Sequence, residues 1–347
     1  MRICIPIRAL SAASAFALLC GCSGGSAIAP RPSTQQTHSW LIRIPAGLSP
    51  IGMLKVNMNT GRHFTTFDSC PATGAIEYIS DYNNSVINIY NGKFAGQGPC
   101  GQLVDALLNP ENLFVKGSTH DLYVANSGSG DILVFHRGAT THYMTYTDPT
   151  GVVPEDVTVA RDGTVIASNI YSPFANENGS ISTWHSDGTF VGNFPMVNDL
   201  LGESVTVQKN GTVYFNDVDK TSGAGLLWTG KCPAGACGTF TSTGATSSFP
   251  GGLRSADNED VVQVDQNANT VSTYESFPTA MLTCTLLGAI DADGDDIDKS
   301  QHHLFFADAL NNVAGEVRYP TCAPVGGVPF NTGGLPAGAA VDAPESL

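Results

Sequence analysis

The chain of 347 residues carries a formal net charge of −15 at pH 7 and has an isoelectric point near 4.7. This acidity argues against a nucleic-acid partner and against electrostatic docking on anionic lipid, because both select basic surfaces. An acidic concavity on such a chain would instead attract cations.

The first 21 residues have the features of a secretory signal peptide. Two arginines precede an apolar stretch that is too short to span a bilayer. The Leu-Cys-Gly-Cys segment at 19–22 resembles the lipobox of bacterial lipoproteins, which implies a signal peptide at 1–21, lipidation of Cys22 and an outer-membrane anchor. The alternative is an ordinary cleaved signal and release into the periplasm.

The segment after the signal changes character twice. Residues 22–37 are small, polar and contain proline, so we expect a flexible tether. Residues 38–73 precede the first recognisable repeat, and we expect an N-terminal extension or cap there. The remainder, 74–347, is expected to be one folded domain.

The cysteines outside the signal, with Cys22 assigned to lipid, are even in number. They are Cys70, Cys100, Cys232, Cys237, Cys284 and Cys322. An even number in an exported chain indicates disulfides, although six cysteines allow 15 pairings. Their positions in the repeat favour Cys70–Cys100, Cys232–Cys237 and Cys284–Cys322.

Six short apolar runs along the chain each end in an Asp or Asn that is followed by a turn. These final residues, the anchors, lie 45, 43, 48, 48 and 43 residues apart and are Asp81, Asn126, Asn169, Asp217, Asp265 and Asp308. A period in the forties with several strands in each unit is typical of a β-propeller. We therefore expect each unit to be one blade of four antiparallel strands.

A second series of residues marks the start of the innermost strand of each unit. The starts are Pro110-Glu111, Pro154-Glu155, Gly202-Glu203, Pro250-Gly251, Asp293-Gly294 and Pro336-Ala337. The last start has no anchor after it, and the first anchor has no start before it. The sequence therefore predicts an all-β, six-bladed β-propeller in which the C-terminal strand joins the first blade, so that no sheet edge stays open.

The Pro-Glu starts, the Asp-Gly and Asn-Gly turns and the strand ends resemble propellers of the NHL-repeat and regucalcin/gluconolactonase type. The resemblance covers residues 75–347. It implies a divalent metal at the channel mouth that serves to open lactones, and it carries the ligand role to Glu111, Glu155 and Glu203. Gly251 and Ala337 depart from the acidic pattern.

The propeller geometry itself gathers acidic residues at one mouth of the channel. Because inner strands begin at a common end, we expect Glu111, Glu155, Glu203 and Asp293 to form a site for Ca²⁺ or another divalent cation. The anchors should lie on the same face, where they either serve as further ligands or satisfy backbone N–H groups in turns.

Two other features of the sequence bear on chemistry. The acidic run 291–298 lacks the glycine and glutamate positions of an EF-hand loop, so we expect a solvated loop, with a Ca²⁺-stabilised turn as the alternative. Trp184 and Trp228 occupy equivalent third strands, where we expect them to pack between blades.

The leading functional hypothesis is a lipid-anchored, extracytoplasmic binding module, since no complete catalytic set is visible. The expected partner at the mouth is a small molecule or a protein; the lipid anchor is the only membrane contact, and the chain is expected to be monomeric. The alternative is a divalent-metal-dependent, lactonase-like hydrolase, for which Arg254 is a partner by position only. A third hypothesis, a lyase of the virginiamycin-inactivating type, would need a mouth histidine that the pattern does not supply.

Overall fold

A computed structural model describes residues 70, 74–92, 98–172, 178–196, 199–256, 258–298, 300–329 and 334–342. The predicted signal peptide, Cys22, the tether and nearly all of the segment 38–73 lie outside these residues. Within the described part of the chain, no helix is both long and apolar enough to cross a membrane.

The described chain is built from β-strands and one short 3₁₀ helix, Pro233–Gly235. The first twelve strands are β1 (Ile76–Asp81), β2 (Val86–Tyr90), β3 (Gly101–Leu103), β4 (Pro110–Lys116), β5 (Asp121–Asn126), β6 (Asp131–Phe135), β7 (His142–Thr147), β8 (Val153–Val159), β9 (Val165–Ser172), β10 (Asn178–Trp184), β11 (Phe190–Pro195) and β12 (Asp199–Val207). The next twelve are β13 (Thr212–Asp219), β14 (Gly225–Lys231), β15 (Thr241–Ser247), β16 (Pro250–Ser255), β17 (Val261–Asp265), β18 (Thr270–Tyr274), β19 (Leu282–Thr285), β20 (Ala292–Ile297), β21 (His303–Asp308), β22 (Val313–Arg318), β23 (Ala323–Pro329) and β24 (Pro336–Asp342).

These strands form six four-stranded antiparallel sheets, which are the blades of a six-bladed β-propeller. Blade 1 has the order β24-β1-β2-β3, and blades 2 to 6 follow in chain order from β4 to β23. Closure comes from the pairing of β24 with β1, in a register that sets Ile76 opposite Asp342. The predicted fold class and its C-terminal closure are therefore confirmed.

The tight turns follow directly from local sequence. In the Asp162-Gly163 turn, the glycine takes a φ of 90°, which costs little only without a side chain, and the Thr164 amide donates to Asp162 Oδ1 at 2.9 Å. The Asp-Gly and Asn-Gly turns that end at Thr189 and Thr212 repeat this arrangement. Each turn thus sets the register of its hairpin without help from the rest of the fold.

The hydrophobic core is divided among the blade interfaces. Among the described residues, buried apolar side chains form six clusters, and each cluster joins two neighbouring blades, including blades 6 and 1. Trp184 belongs to the blade 2–blade 3 cluster, and its Nε1 donates to the Thr147 carbonyl at 3.1 Å. The expected inter-blade packing is confirmed for this tryptophan.

Four of the six anchors bind the backbone that leads into the inner strand of their own blade. Asp81 accepts from the Leu335 amide, and Asn126 accepts from the Leu108 amide at 2.7 Å. In the same way, Asp265 accepts from Ser248, and Asp308 accepts from Ile290. These anchors are turn-formers, as one of the two sequence interpretations held. The anchors of blades 3 and 4, Asn169 and Asp217, bind side chains instead.

The structure pairs the six cysteines outside the N-terminal segment as the sequence led us to expect. Cys70 bonds to Cys100, the hairpin disulfide Cys232–Cys237 flanks the 3₁₀ helix, and the inter-blade disulfide Cys284–Cys322 joins blades 5 and 6. Disulfides are consistent with an extracytoplasmic protein.

The acidic run 291–298 is not the solvated loop that its composition suggested. Its central part is β20, the inner strand of blade 6, and Asp293 and Asp295 are buried. The position of the segment in the repeat determined its structure more than its acidic composition did, because an inner strand is enclosed by its neighbours whatever side chains it carries.

Candidate functional site

Three buried carboxylates converge at the mouth of the central channel. Glu111, Glu155 and Asp293 are the second residues or near the starts of the inner strands of blades 2, 3 and 6. One oxygen of each lies within 4.8 Å of the others. Oxygen ligands on opposite sides of a single Ca²⁺ are separated by up to about 5 Å, so this spacing suits one hard cation.

Like charges at this spacing need compensation. At an effective dielectric constant of about 20, two carboxylates 4.8 Å apart repel by about 3 kcal/mol. A bound cation removes that cost and gains ligand bonds, whereas shared protons only reduce it. The spacing of the three carboxylates is therefore compatible with a shared cation.

Blade 5 replaces its acid with an amide that serves the same site. A side chain on Gly251 would crowd Gln266, whose Cγ would lie 2.9 Å from the added Cβ. Gln266 Nε2 donates to Asp293 Oδ1 at 2.5 Å, which fixes the orientation of that carboxylate. The missing acid at position 251 thus leaves room for a group that positions its neighbour.

Glu203, the fourth residue predicted for the mouth, is not part of this group of three. Register shifts occur at the same place in the inner strands of Glu111, Glu155 and Glu203, so the bulge does not distinguish Glu203 from the other two. The charge of Glu203 acts on Asp199, which lies four residues earlier on the same strand. This acidic neighbour distinguishes Glu203, and the repeat pattern does not reveal it.

Blade 4 contains further buried carboxylates that sequence reasoning missed. Asp199 is fully buried, and burial together with the charges of Asp217 and Glu203 raises its pKa well above the usual range. Burial raises the pKa of Asp217 to about 7, although the Trp228 Nε1 donor, 2.8 Å from Oδ2, opposes this shift. The signal available in the sequence was the departure of β12 from the repeat: Asp199 has no counterpart in the other blades.

Arg254 occupies the channel further along the inner strands. From blade 5, its Nη1 donates to Asp156 Oδ2 at 2.9 Å and its Nη2 donates to the Leu113 carbonyl at 2.8 Å. These partners belong to blades 3 and 2, and Asp296 of blade 6 lies 3.8 Å from Nε. Burial opposes the charged form, but Asp156 and its neighbours hold the pKa of Arg254 above its usual value.

Arg254 therefore has a structural role. Its side chain is only 5% exposed, and it links four blades across the axis of the ring. The sequence had suggested it as a reaction partner at the mouth, but its two Nη groups are hydrogen-bonded to the channel wall. The mouth therefore has a charged floor, formed by Arg254, rather than opening into a free channel.

Comparison with known proteins identifies the fold. No protein-family model and no curated protein matches the sequence. A chain in a crystal structure of a nidogen/laminin complex aligns with a TM-score of 0.60 at 13% identity, over 78% of this chain and 98% of that chain.

Two bacterial proteins of unknown function align similarly. The protein from Bacteroides caccae has a TM-score of 0.55 at 10% identity, over 78% of this chain and 99% of its own. The protein from Desulfotomaculum acetoxidans DSM 771 has a TM-score of 0.54 at 11% identity, over 79% and 100%. At such identities these matches show the fold alone.

Proposed function

We propose that the chain is an extracytoplasmic binding module that holds a divalent cation at the propeller mouth and uses it to bind a small molecule or a protein. The observation that carries the proposal is the convergence of Glu111, Glu155 and Asp293 within 4.8 Å. Three carboxylates leave coordination positions of a calcium-like ion open to ligand oxygens, since such an ion takes six to eight.

The charged floor formed by Arg254 supports ligand binding at the mouth rather than passage of a molecule through the channel. Because Arg254 spans the channel, a ligand can reach the mouth from one face of the ring only. The exported location that the disulfides favour also suits this role, since extracellular calcium sites work at high ion concentration. As part of the same proposal, lipid on Cys22 would hold the module at a membrane surface.

The test is the number of tightly bound ions per chain. The protein is dialysed against Ca²⁺, and bound metal is measured by elemental analysis, with affinity from calorimetric titration. Glu155→Gln and Glu111→Gln should each lose one ion per chain or weaken its affinity at least tenfold. Glu275→Gln, which removes an exposed acid, is the matched control and should bind as the wild type does. Unchanged binding in both mouth variants would overturn the proposal.

The lipid anchor has its own test. Cys22→Ala should remove a diacylglycerol adduct from the mass of the mature protein and release it from the membrane fraction. A wild-type protein of unmodified mass at Cys22 would contradict the anchor while leaving the mouth site untouched.

A second function, metal-dependent opening of lactones, is favoured by the same convergence of three mouth oxygens. It would require a metal-bound water or a carboxylate to act as base. The committed position of Arg254 removes the one cationic partner that the sequence offered. Lactone turnover that depends on added Ca²⁺ or Mn²⁺ and is lost in Glu155→Gln would establish this function in place of simple binding.

A further inference from the structure

Blade 4 brings several carboxylates to one face of its two innermost strands. Asp199 pairs with Asp219 and Gly202 pairs with Asp217, so these three acids project on the same side of the sheet. The charge of Glu203, on the same strand as Asp199, also acts on Asp199. This set, the blade-4 acids, is separate from the three mouth carboxylates.

The central member, Asp199, is buried and has no hydrogen-bond partner for either carboxylate oxygen. Oδ1 of Asp217 likewise has none. The Leu201 backbone N–H is a weak donor to Asp199 that favours its charged form, but it does not reach full hydrogen-bond geometry with either oxygen. Buried, unsatisfied carboxylate oxygens are costly, and native structures rarely keep them without a bound partner.

Blades 3 and 4 depart from the use that the other four blades make of the anchor. In blades 1, 2, 5 and 6 the anchor accepts a backbone N–H from the loop that enters the inner strand. Asn169 of blade 3 binds serine hydroxyls, and Asp217 of blade 4 accepts from the Trp228 indole. Blade 4 differs from blade 3 in that its anchor is a buried carboxylate with one unsatisfied oxygen.

The charges around Asp199 are negative, and the neighbouring blade packs closely against it. The charges that act most strongly on Asp199 are all carboxylates, those of Asp217, Glu203 and Asp219. The neighbouring blade presents Gly179, where any Cβ would overlap Asp199 Oδ2. Among the described residues, no cation is a leading influence on Asp199, whereas Arg254 neutralises Asp156.

We propose that blade 4 holds a second hard-cation site, in which Asp199 and Asp217 bind one divalent ion of the calcium class and Glu203 contributes charge. Backbone carbonyls and water would complete the oxygen ligands that such an ion requires. Because the ion would join β12 to β13 beside the blade 3–blade 4 interface, it would stabilise the ring. The inference does not depend on the mouth site, since the two sites share no ligand.

Trp228 allows ion binding at the blade-4 site to be measured separately from binding at the mouth. The indole N–H is hydrogen-bonded to Asp217, so a Tb³⁺ ion bound there as a calcium surrogate would be excited by energy transfer from the indole. Titration of the full chain with Tb³⁺, excited at the tryptophan band, should give a saturable signal that Ca²⁺ competes away. Trp228→Phe should abolish most of that signal, and Asp199→Asn should weaken Tb³⁺ binding at least tenfold.

Two further variants separate this site from the mouth. Glu155→Gln should keep the Trp228-sensitised signal, and Asp187→Asn, which removes an exposed acid, should leave it unchanged. If Asp199→Asn does not fold, Glu155→Gln supplies the test, because added Ca²⁺ should still raise its unfolding midpoint. The proposal is overturned if Trp228→Phe or Asp199→Asn retains the full signal. It is equally overturned if the unfolding midpoint of Glu155→Gln responds to lower pH but not to Ca²⁺, because the acids would then hold protons.

Discussion

Replacing Arg254 with Met tests how far the ring depends on the charge at its centre. The change removes the donors to Asp156 and to the Leu113 carbonyl while keeping an unbranched apolar side chain of similar length. Asp156 would remain fully buried without its counter-charge. Breaking a buried ion pair from one side costs about 3–5 kcal/mol, so the free energy of unfolding should fall by about 4 kcal/mol.

The assay is urea unfolding at equilibrium, with Asp156→Asn and the double variant completing a cycle. Because removal of both charges leaves neither member of the Arg254–Asp156 pair without its counter-charge, the double variant should be less destabilised than the sum of the single variants by about 1–3 kcal/mol. Arg161→Met, which changes an exposed arginine in a turn, is the matched control and should stay within about 0.5 kcal/mol of wild type. A loss below about 1 kcal/mol for Arg254→Met, or strict additivity in the cycle, would refute the assignment of Arg254 as the central link.

Three further outcomes are expected. Burial and the charge of Glu316 raise the pKa of Glu77 from 4.5 to about 8. Between these two pH values the folded state holds a proton that the unfolded state releases. The free energy of unfolding should therefore fall as pH rises from 4.5 to about 8. Urea unfolding at several pH values should show a flatter profile for Glu77→Gln, and an unchanged profile would contradict the assignment. By loop-closure entropy, loss of the inter-blade disulfide, which spans 38 residues, should cost about 4 kcal/mol, and loss of the hairpin disulfide, which spans 5, about 2 kcal/mol; equal losses in paired Cys→Ser variants would argue against that ranking. Gly179→Ala should displace Asp199 and lower the unfolding midpoint, whereas Gly238→Ala, whose added Cβ meets nothing closer than 3.8 Å, should not; thermal unfolding of the two variants distinguishes them.

The fold could be predicted from the sequence because its determinants are local and repeated. Apart from Asp81, whose partner Leu335 lies near the C-terminus, each anchor and each Asp-Gly or Asn-Gly turn acts on residues of its own hairpin or on the loop just before it, as Asn126 does with the Leu108 amide. The closure of the ring could also be predicted from the sequence, because β24 supplies the strand that the first repeat lacks. Six copies of one local pattern therefore predicted the ring.

The site was only partly predictable, because its remaining determinants are not local. The pattern brought Glu111, Glu155 and Asp293 to one mouth, but Glu203 is not part of that group, and its charge acts on Asp199 of its own strand. Arg254 reaches Leu113 across 141 residues of sequence, and nothing in the repeat encodes that contact. Asp199 was not predicted as a site residue, because the other blades have no counterpart with which to compare it.

A structure of the crystalline protein soaked in Mn²⁺, with anomalous scattering recorded at the manganese edge, tests the mouth site most directly. The account predicts a strong anomalous peak within ligand distance of Glu111, Glu155 and Asp293, and its loss in Glu155→Gln. Well-ordered carboxylates at the mouth with no anomalous peak between them would contradict the account.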